Sequence, residues 1–188
     1  MFRRRSFLKS SSIIAGGLIL PKLSFKSKKN NRKKLKIAVV GCGGRGTGAA
    51  VQALRADNNV ELVTLADAFK DRLETSLNAI KDEFEGEMEI NIKEKNKFVG
   101  FDAYKKAIDK SDVVILASPP GFRPAHFEYA INKNKHVFME KPVATDAHGV
   151  RQVLNSARKA KEKNLNVVVG LQRRYQKSYL SAKKQIDR

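Results

Sequence analysis

The chain has 188 residues, enough for one domain with a buried core, and 41 % of them are hydrophobic and 30 % charged. Its single cysteine, Cys42, excludes an internal disulfide, and no Cys/His cluster has metal-ligand spacing, so no bound metal is expected. The formal net charge of +19 is concentrated in residues 1–36, which hold 12 Lys/Arg and no acid and leave 26 basic against 19 acidic residues in the remainder; with no reading motif beside it, this charge does not point to nucleic acid.

Residues 1–34 read as a leader and basic linker. A basic start (Arg3, Arg4, Arg5, Lys9) precedes the apolar stretch Ile13–Leu20. That stretch is far short of the ~20 residues of a membrane-spanning helix, so no stable membrane anchor is expected. Arg4-Arg5-Ser6-Phe7-Leu8-Lys9 resembles the twin-arginine export signal, with Arg3 in place of the usual Ser or Thr. The implied partner is the twin-arginine export machinery, and the implied location is the periplasm or another exported compartment. Because that route carries folded proteins, a nucleotide could be loaded before export.

Leu35–Val40 is apolar and β-branched and reads as a buried parallel strand. Gly41–Gly46 is a turn, and Gly44–Ala56 a helix with Ala49, Ala50, Ala53 and Leu54 at helical spacing. Val60–Ala66 is the second strand. Residues 69–83 form a helix with Leu73, Leu77 and Ile80 on one face. Met88–Ile92 alternates like a strand, and the charged run after it reads as a loop. Asp102 caps a short helix through Ile108, and Asp112–Ala117 is another buried strand, stopped by Ser118-Pro119-Pro120-Gly121. Pro124 suits the first turn of a helix ending near Asn132. His136–Met139 is a short strand, Thr145 or Asp146 caps a helix to about Lys163, Leu165–Gly170 is a sixth strand, and a basic, polar segment closes the chain. Strands alternating with helices predict an α/β fold, a doubly wound parallel sheet of order 3-2-1-4-5-6, with ligand at the carboxyl ends of the strands near the switch point.

The turn Gly41-Cys42-Gly43-Gly44-Arg45-Gly46 matches G-x-G-x-x-G between a predicted strand and a predicted helix, the context of a dinucleotide-binding loop. Gly41 permits the tight turn, Gly43 lets a pyrophosphate approach bare backbone, and Gly46 lets helix and strand pack closely. The helix start offers unpaired N–H groups and partial positive charge to phosphates. Cys42 is expected as a small residue facing the nucleotide. Asp67, at the end of the second strand, is placed to accept hydrogen bonds from the adenosine ribose and to repel a 2′-phosphate, which favours NAD over NADP. Lys70 and Arg72 lie close enough in sequence to reverse that preference, and a plain helix N-cap is the other role open to Asp67.

Three further runs carry a resemblance: Ala117-Ser118-Pro119-Pro120 with His126 downstream; His136-Val137-Phe138-Met139-Glu140-Lys141-Pro142; and Val168-Val169-Gly170-Leu171-Gln172-Arg173-Arg174-Tyr175. With the glycine turn they resemble the Gfo/Idh/MocA oxidoreductases over about residues 35–175. The resemblance implies an NAD(P)-binding Rossmann domain at 35–172, with 173–188 opening a second, substrate-binding α/β domain that is absent or truncated. It implies that Ser118, Pro119 and Pro120 line the cofactor cleft, that Glu140 and Lys141 lie beside the nicotinamide, and that Lys141 acts catalytically on the substrate hydroxyl. His126 is assigned to the cofactor cleft or to a helix surface, and His136 and His148 are expected to be structural. Arg173, Arg174 and Tyr175 are left open between the cleft and the next domain. The implied substrate is a sugar, cyclitol or related polyol. A homo-oligomer of the full-length form, assembled through the second domain, is a further implication. A glycosidase of the same fold using transient oxidation and a non-catalytic nucleotide-binding module are the alternatives.

Overall fold

The computed structural model describes residues 33–187, so all but the last two residues of the predicted leader lie outside the described residues. Six parallel strands form one sheet: β1 (Leu35–Val40), β2 (Val60–Asp67), β3 (Lys97–Val99), β4 (Val113–Leu116), β5 (His136–Met139) and β6 (Val167–Val169). Their order is β3-β2-β1-β4-β5-β6, the predicted doubly wound arrangement. Six helices connect or follow them: α1 (Gly44–Ala56), α2 (Lys70–Glu83), α3 (Ala103–Asp109), α4 (Arg123–Asn132), α5 (Ala147–Glu162) and α6 (Lys177–Ile186).

β1 is central, and its alternation divides it between two core layers. Ile37 and Val39 face the layer closed by Leu54 of α1 and Leu73, Leu77 and Ile80 of α2. Ala38 and Val40 face the layer closed by Ile108 of α3, Phe127 and Ile131 of α4, and Val153 and Ala160 of α5. The β1–β2 register shifts between Ile37↔Leu62 and Ala38↔Thr64, which leaves Val63 as an extra residue. Through that bulge Leu62 and Leu65, three apart, both join the first layer. Asp146 caps α5 by accepting from the Gly149 N–H at 2.7 Å. Asp102 precedes α3 without a side-chain cap bond, its carboxylate going instead to Lys105 at 2.7 Å.

Two expectations are corrected. Met88–Ile92 is not a strand; Ile90 and Ile92 are buried against the α1/α2 layer, so the alternation records a covering segment rather than sheet pairing. The third strand lies in the charged run expected to be a loop. Lys97, Phe98 and Val99 pair with Leu65, Ala66 and Asp67, and the Thr64 hydroxyl donates to the Asn96 carbonyl at 2.7 Å where that strand begins. The Lys97 ammonium pairs with Glu94 at 2.9 Å, so an edge strand of three residues tolerates its charge. The basic segment after β6 forms a 3₁₀ turn over Gln172–Arg174 and then α6, with Leu180 and Ile186 exposed. Among the described residues no helix is long and apolar enough to cross a membrane.

Gly46 and Gly44 have opposite steric surroundings within one helical turn. A Cβ on Gly46 would collide with the Gly41 carbonyl, whereas a Cβ on Gly44 would meet nothing within 4 Å. Gly46→Ala is therefore expected to cost about 1–3 kcal/mol and Gly44→Ala to add about 0.4–1 kcal/mol. Urea midpoints of the two variants read these opposite signs.

Candidate functional site

The carboxyl ends of β1, β2, β4, β5 and β6 open onto one cleft of about 720 Å³, a size suited to a nucleotide-class ligand. Its floor is main chain. Gly41 has φ of +95°, and a Cβ there would collide with the Ser118 backbone, so the loops after β1 and β4 touch directly. The Gly41 N–H donates to the Ala66 carbonyl at 2.8 Å, and the Ala117 N–H donates to the Val40 carbonyl at 2.8 Å. Gly43 lines the cleft with no atom near its missing Cβ. The first turn of α1 holds no acid, and its N-cap, Gly43, supplies no side-chain cap. Unpaired first-turn N–H groups beside bare backbone fit a diphosphate.

Asp67 closes the β2 end of the cleft. One carboxylate oxygen accepts from the Cys42 N–H at 2.6 Å and the other from the Phe69 N–H at 3.0 Å. The second bond closes a turn before α2 and is not the N-cap role left open for Asp67, since Phe69 is the N-cap and has no side-chain cap bond; the first ties Asp67 to the glycine turn. A carboxylate has about four acceptor positions, so capacity remains for ribose hydroxyls. Arg72 also lines the cleft, whereas Lys70 does not.

Cys42 departs from expectation. Its backbone N–H serves Asp67, but its side chain is buried in the α1/α2 core layer, where the thiol approaches the Ala66 carbonyl at 3.5 Å. Burial, and then the charge of Asp67, push the thiol up to about 12, which leaves it protonated and inert. The alternation of β1, which turns Ala38 and Val40 toward the other layer, is broken at Gly41 with its φ of +95°, and the Cys42 side chain falls in the layer of Ile37 and Val39. Of the remaining turn residues, Gly41, Gly43 and Arg45 line the cleft, while Gly44 borders it from the helix start and Gly46 supports Gly41 from beneath.

Ser118, Pro119 and Pro120 line the opposite wall together with His126. His126 lies on the α4 face turned to the cleft rather than to solvent; its Nδ1 is 3.0 Å from the Ser118 hydroxyl, and its ring stacks on Tyr104 at 4.1 Å. Burial, reinforced by the Arg123 charge, pushes its pKa down to about 4, so the imidazole is neutral near pH 7. At the β5 end Glu140 and Lys141 both line the cleft. Glu140 is 5 % exposed and takes a charge-assisted bond from the Arg45 Nε at 2.8 Å, while Lys141 is exposed. His136 is structural, its Nδ1 accepting from the Asn166 N–H at 2.9 Å. Among Gln172 to Tyr175, Gln172 reaches the cleft; Arg173 instead packs over the Tyr179 ring at 5.2 Å.

Sequence reasoning missed two groups. Arg123, at the start of α4, is 3 % exposed and its guanidinium donates to three carbonyls, those of Ser118, Glu140 (2.7 Å) and Pro142. It joins the loop after β4 to the loop after β5. An Arg before a helix-starting Pro carries no periodic signal that would have revealed this. The second group is an aromatic wall of Phe69, Phe101, Tyr104 and Phe122, with Phe101 and Phe122 at 6.0 Å between ring centroids. Phe69, Phe101 and Phe122 are exposed in three separate loops, which hides them from pattern reading, and Tyr104 is half-buried on α3.

Residues 35–170 match the family model GFO_IDH_MocA, an oxidoreductase family with an NAD-binding Rossmann fold. An inositol 2-dehydrogenase from Cereibacter sphaeroides is 28 % identical over 152 residues, which cover 81 % of this chain and 41 % of that protein. Among solved structures, a scyllo-inositol dehydrogenase from Lactobacillus casei with bound NAD(H) and scyllo-inositol superposes with a TM-score of 0.63 at 25 % identity, covering 82 % of this chain and 41 % of that one. A myo-inositol 2-dehydrogenase from Lactobacillus plantarum gives 0.63 at 28 % identity with the same coverages. The chain thus spans about two fifths of the length of these relatives.

The buried, neutral His126 has a thermodynamic consequence. An unfolded histidine takes its proton near pH 6.5, but His126 takes one in the fold only near pH 4. The unfolded chain therefore gains protons first as pH falls. This contribution to stability is complete above about pH 6.5 and is lost toward pH 4, on the order of 3 kcal/mol in all. Thermal melts across that window should show a smaller acid loss in His126→Gln than in the native chain.

Proposed function

The chain belongs to the Gfo/Idh/MocA oxidoreductases, and from that premise we propose that it is the dinucleotide-binding part of an NAD(P)-dependent dehydrogenase acting on a sugar, cyclitol or related polyol. The observation that carries this reading is the convergence of the glycine turn, Asp67 and Lys141 on one cleft at the switch point of the sheet. The inositol dehydrogenases among its relatives favour a cyclitol.

When bound, the nicotinamide supplies the hydride acceptor. The chain's own residues do the rest. Gly43 and the first turn of α1 receive the diphosphate on main-chain N–H groups. Asp67, already fixed by two backbone donors, takes the adenosine ribose with its remaining lone pairs. Ser118, Pro119 and Pro120 bound the cleft on the β4 side and exclude water from it. Lys141 presents an ammonium to the substrate hydroxyl. There it stabilises negative charge on oxygen as the carbon is oxidised; only its neutral amine form would accept the hydroxyl proton. Arg123 keeps Lys141 in reach of Ser118 by gripping the carbonyls on both sides of that lysine.

The leader at 1–34 is read as a twin-arginine signal that exports the folded domain with its cofactor to the periplasm. Its support is the Arg4-Arg5-Ser6-Phe7-Leu8-Lys9 run. Replacing Arg4 and Arg5 by Lys should hold the protein in the cytoplasm by cell fractionation; a native chain found folded only in the cytoplasm would refute export.

Calorimetric titration tests the cofactor site. Asp67→Ala is expected to weaken NAD by about ten- to a hundredfold, the loss of charge-assisted hydrogen bonds. NADP, which gains from removal of the anion, should lose less. Equal losses for the two would overturn the ribose role of Asp67.

A further inference from the structure

Arg45 is the second residue of α1, so its side chain leaves the helix beside the uncapped first-turn N–H groups. It is half-exposed, at 52 %, and lines the cleft next to Gly43. Its Nε is committed to Glu140 at 2.8 Å, while neither terminal nitrogen of the guanidinium has a partner among the described residues. A guanidinium is rigid and planar and carries five N–H donors, so an arginine held by Nε still presents its outer edge.

Glu140 is held from every side. Its N–H donates to the Leu116 carbonyl at 3.0 Å, and its carbonyl accepts from Arg123 at 2.7 Å. Its carboxylate is packed so closely on Gly170 that a Cβ there would stand 2.9 Å from both oxygens. Arg45 is the one charged hydrogen-bond partner of that carboxylate among the described residues. The fixed member of this pair is therefore the carboxylate, and the steered member is the arginine. A buried carboxylate near a diphosphate site also repels the ligand unless a cation stands between them.

We propose that Arg45 contacts the diphosphate of the bound dinucleotide with its outer guanidinium edge, and that Glu140 is the positioning residue that holds it there. This deepens the dinucleotide reading and rests on it. Arg45 then does two things at once: it supplies a charge-assisted contact and it screens the Glu140 anion from the phosphates. The two effects separate in a double-mutant cycle. Removing Arg45 costs both the contact and the screen, and neutralising Glu140 afterwards restores only the screen.

The test is calorimetric binding of NAD, ADP-ribose and adenosine to the full chain and to Arg45→Met, Glu140→Gln and the double variant. Arg45→Met should weaken NAD and ADP-ribose alike, by about thirtyfold, and adenosine by less than about twofold. Glu140→Gln alone should weaken NAD by about threefold, through a less well-held Arg45. The double variant should bind NAD about threefold tighter than Arg45→Met, a rescue that structural damage would not produce. Unchanged ADP-ribose affinity in Arg45→Met overturns the contact, and a double variant weaker than Arg45→Met overturns the positioning role. A native chain that binds neither NAD nor ADP-ribose overturns the dinucleotide reading itself, and this proposal with it.

Discussion

Main chain touches main chain where β1 and β4 end. At Gly41 the approach of the Ser118 backbone leaves room for a hydrogen and nothing larger, and Gly46 brings α1 onto the Gly41 carbonyl from the other side. The rest of the cleft follows from that contact. The chain leaves β1 toward β2 and β3, then returns to β4 on the opposite side, so the loops after β1 and β4 separate at the switch point. Pinning them together at their base makes a narrow floor of peptide groups with walls rising from it. Any side chain at Gly41 would fill the floor and push the β4 loop away, so the same atoms that complete the packing also shape the site.

Ionic groups around this floor are arranged so that few stand alone. Asp67 is satisfied by two N–H groups before any ligand arrives. Arg123 is buried, and burial lowers its pKa, but three carbonyls surround its guanidinium and Glu140 lies nearby. Its Nε is a buried donor with no partner among the described residues, a cost the other bonds offset. Carbonyl oxygens are the natural partners here because the loops after β4 and β5 expose them where regular pairing stops. One arginine thereby sets the distance between the Ser118 and Lys141 loops, which a hydrophobic residue in the same place would leave unfixed.

The regular part of this architecture was legible because each buried strand and helix repeats its apolar residues with the period of its own geometry. Ile37–Val40 is apolar at every position because both faces are covered there, and α2 repeats Leu73, Leu77 and Ile80 at helical intervals. Legibility failed where that link breaks. Met88, Ile90 and Ile92 alternate yet cover helices, and Lys97–Val99 pairs at an edge where charge is tolerated. That the glycine turn and Asp67 meet at the cleft could be read because a tight turn after the first strand and an acid at the end of the second carry a recognisable spacing. Arg123 could not, since its partners are carbonyls and carbonyls leave no trace in sequence. The Cys42 side chain was misplaced because the spacing of the turn says which residues bend, but not which way the residue between two glycines faces.

The division of labour between Glu140 and Lys141 shows how such a site keeps its charge available. Adjacent acid and base in a peptide segment could pair with each other, and the cleft would then present a neutral surface to a substrate hydroxyl. Here the carboxylate is drawn away from the cleft mouth, between Gly170 and Arg45, while Lys141 stays exposed with no ion-pair partner among the described residues. An ammonium in that state keeps its full attraction for an oxygen that gains negative charge. The glycine at position 170 matters for the same reason: a Cβ there would expel the carboxylate from its seat and free it to compete for the lysine. The charge that the cleft presents thus depends on where the neighbouring anion is kept as much as on the lysine itself.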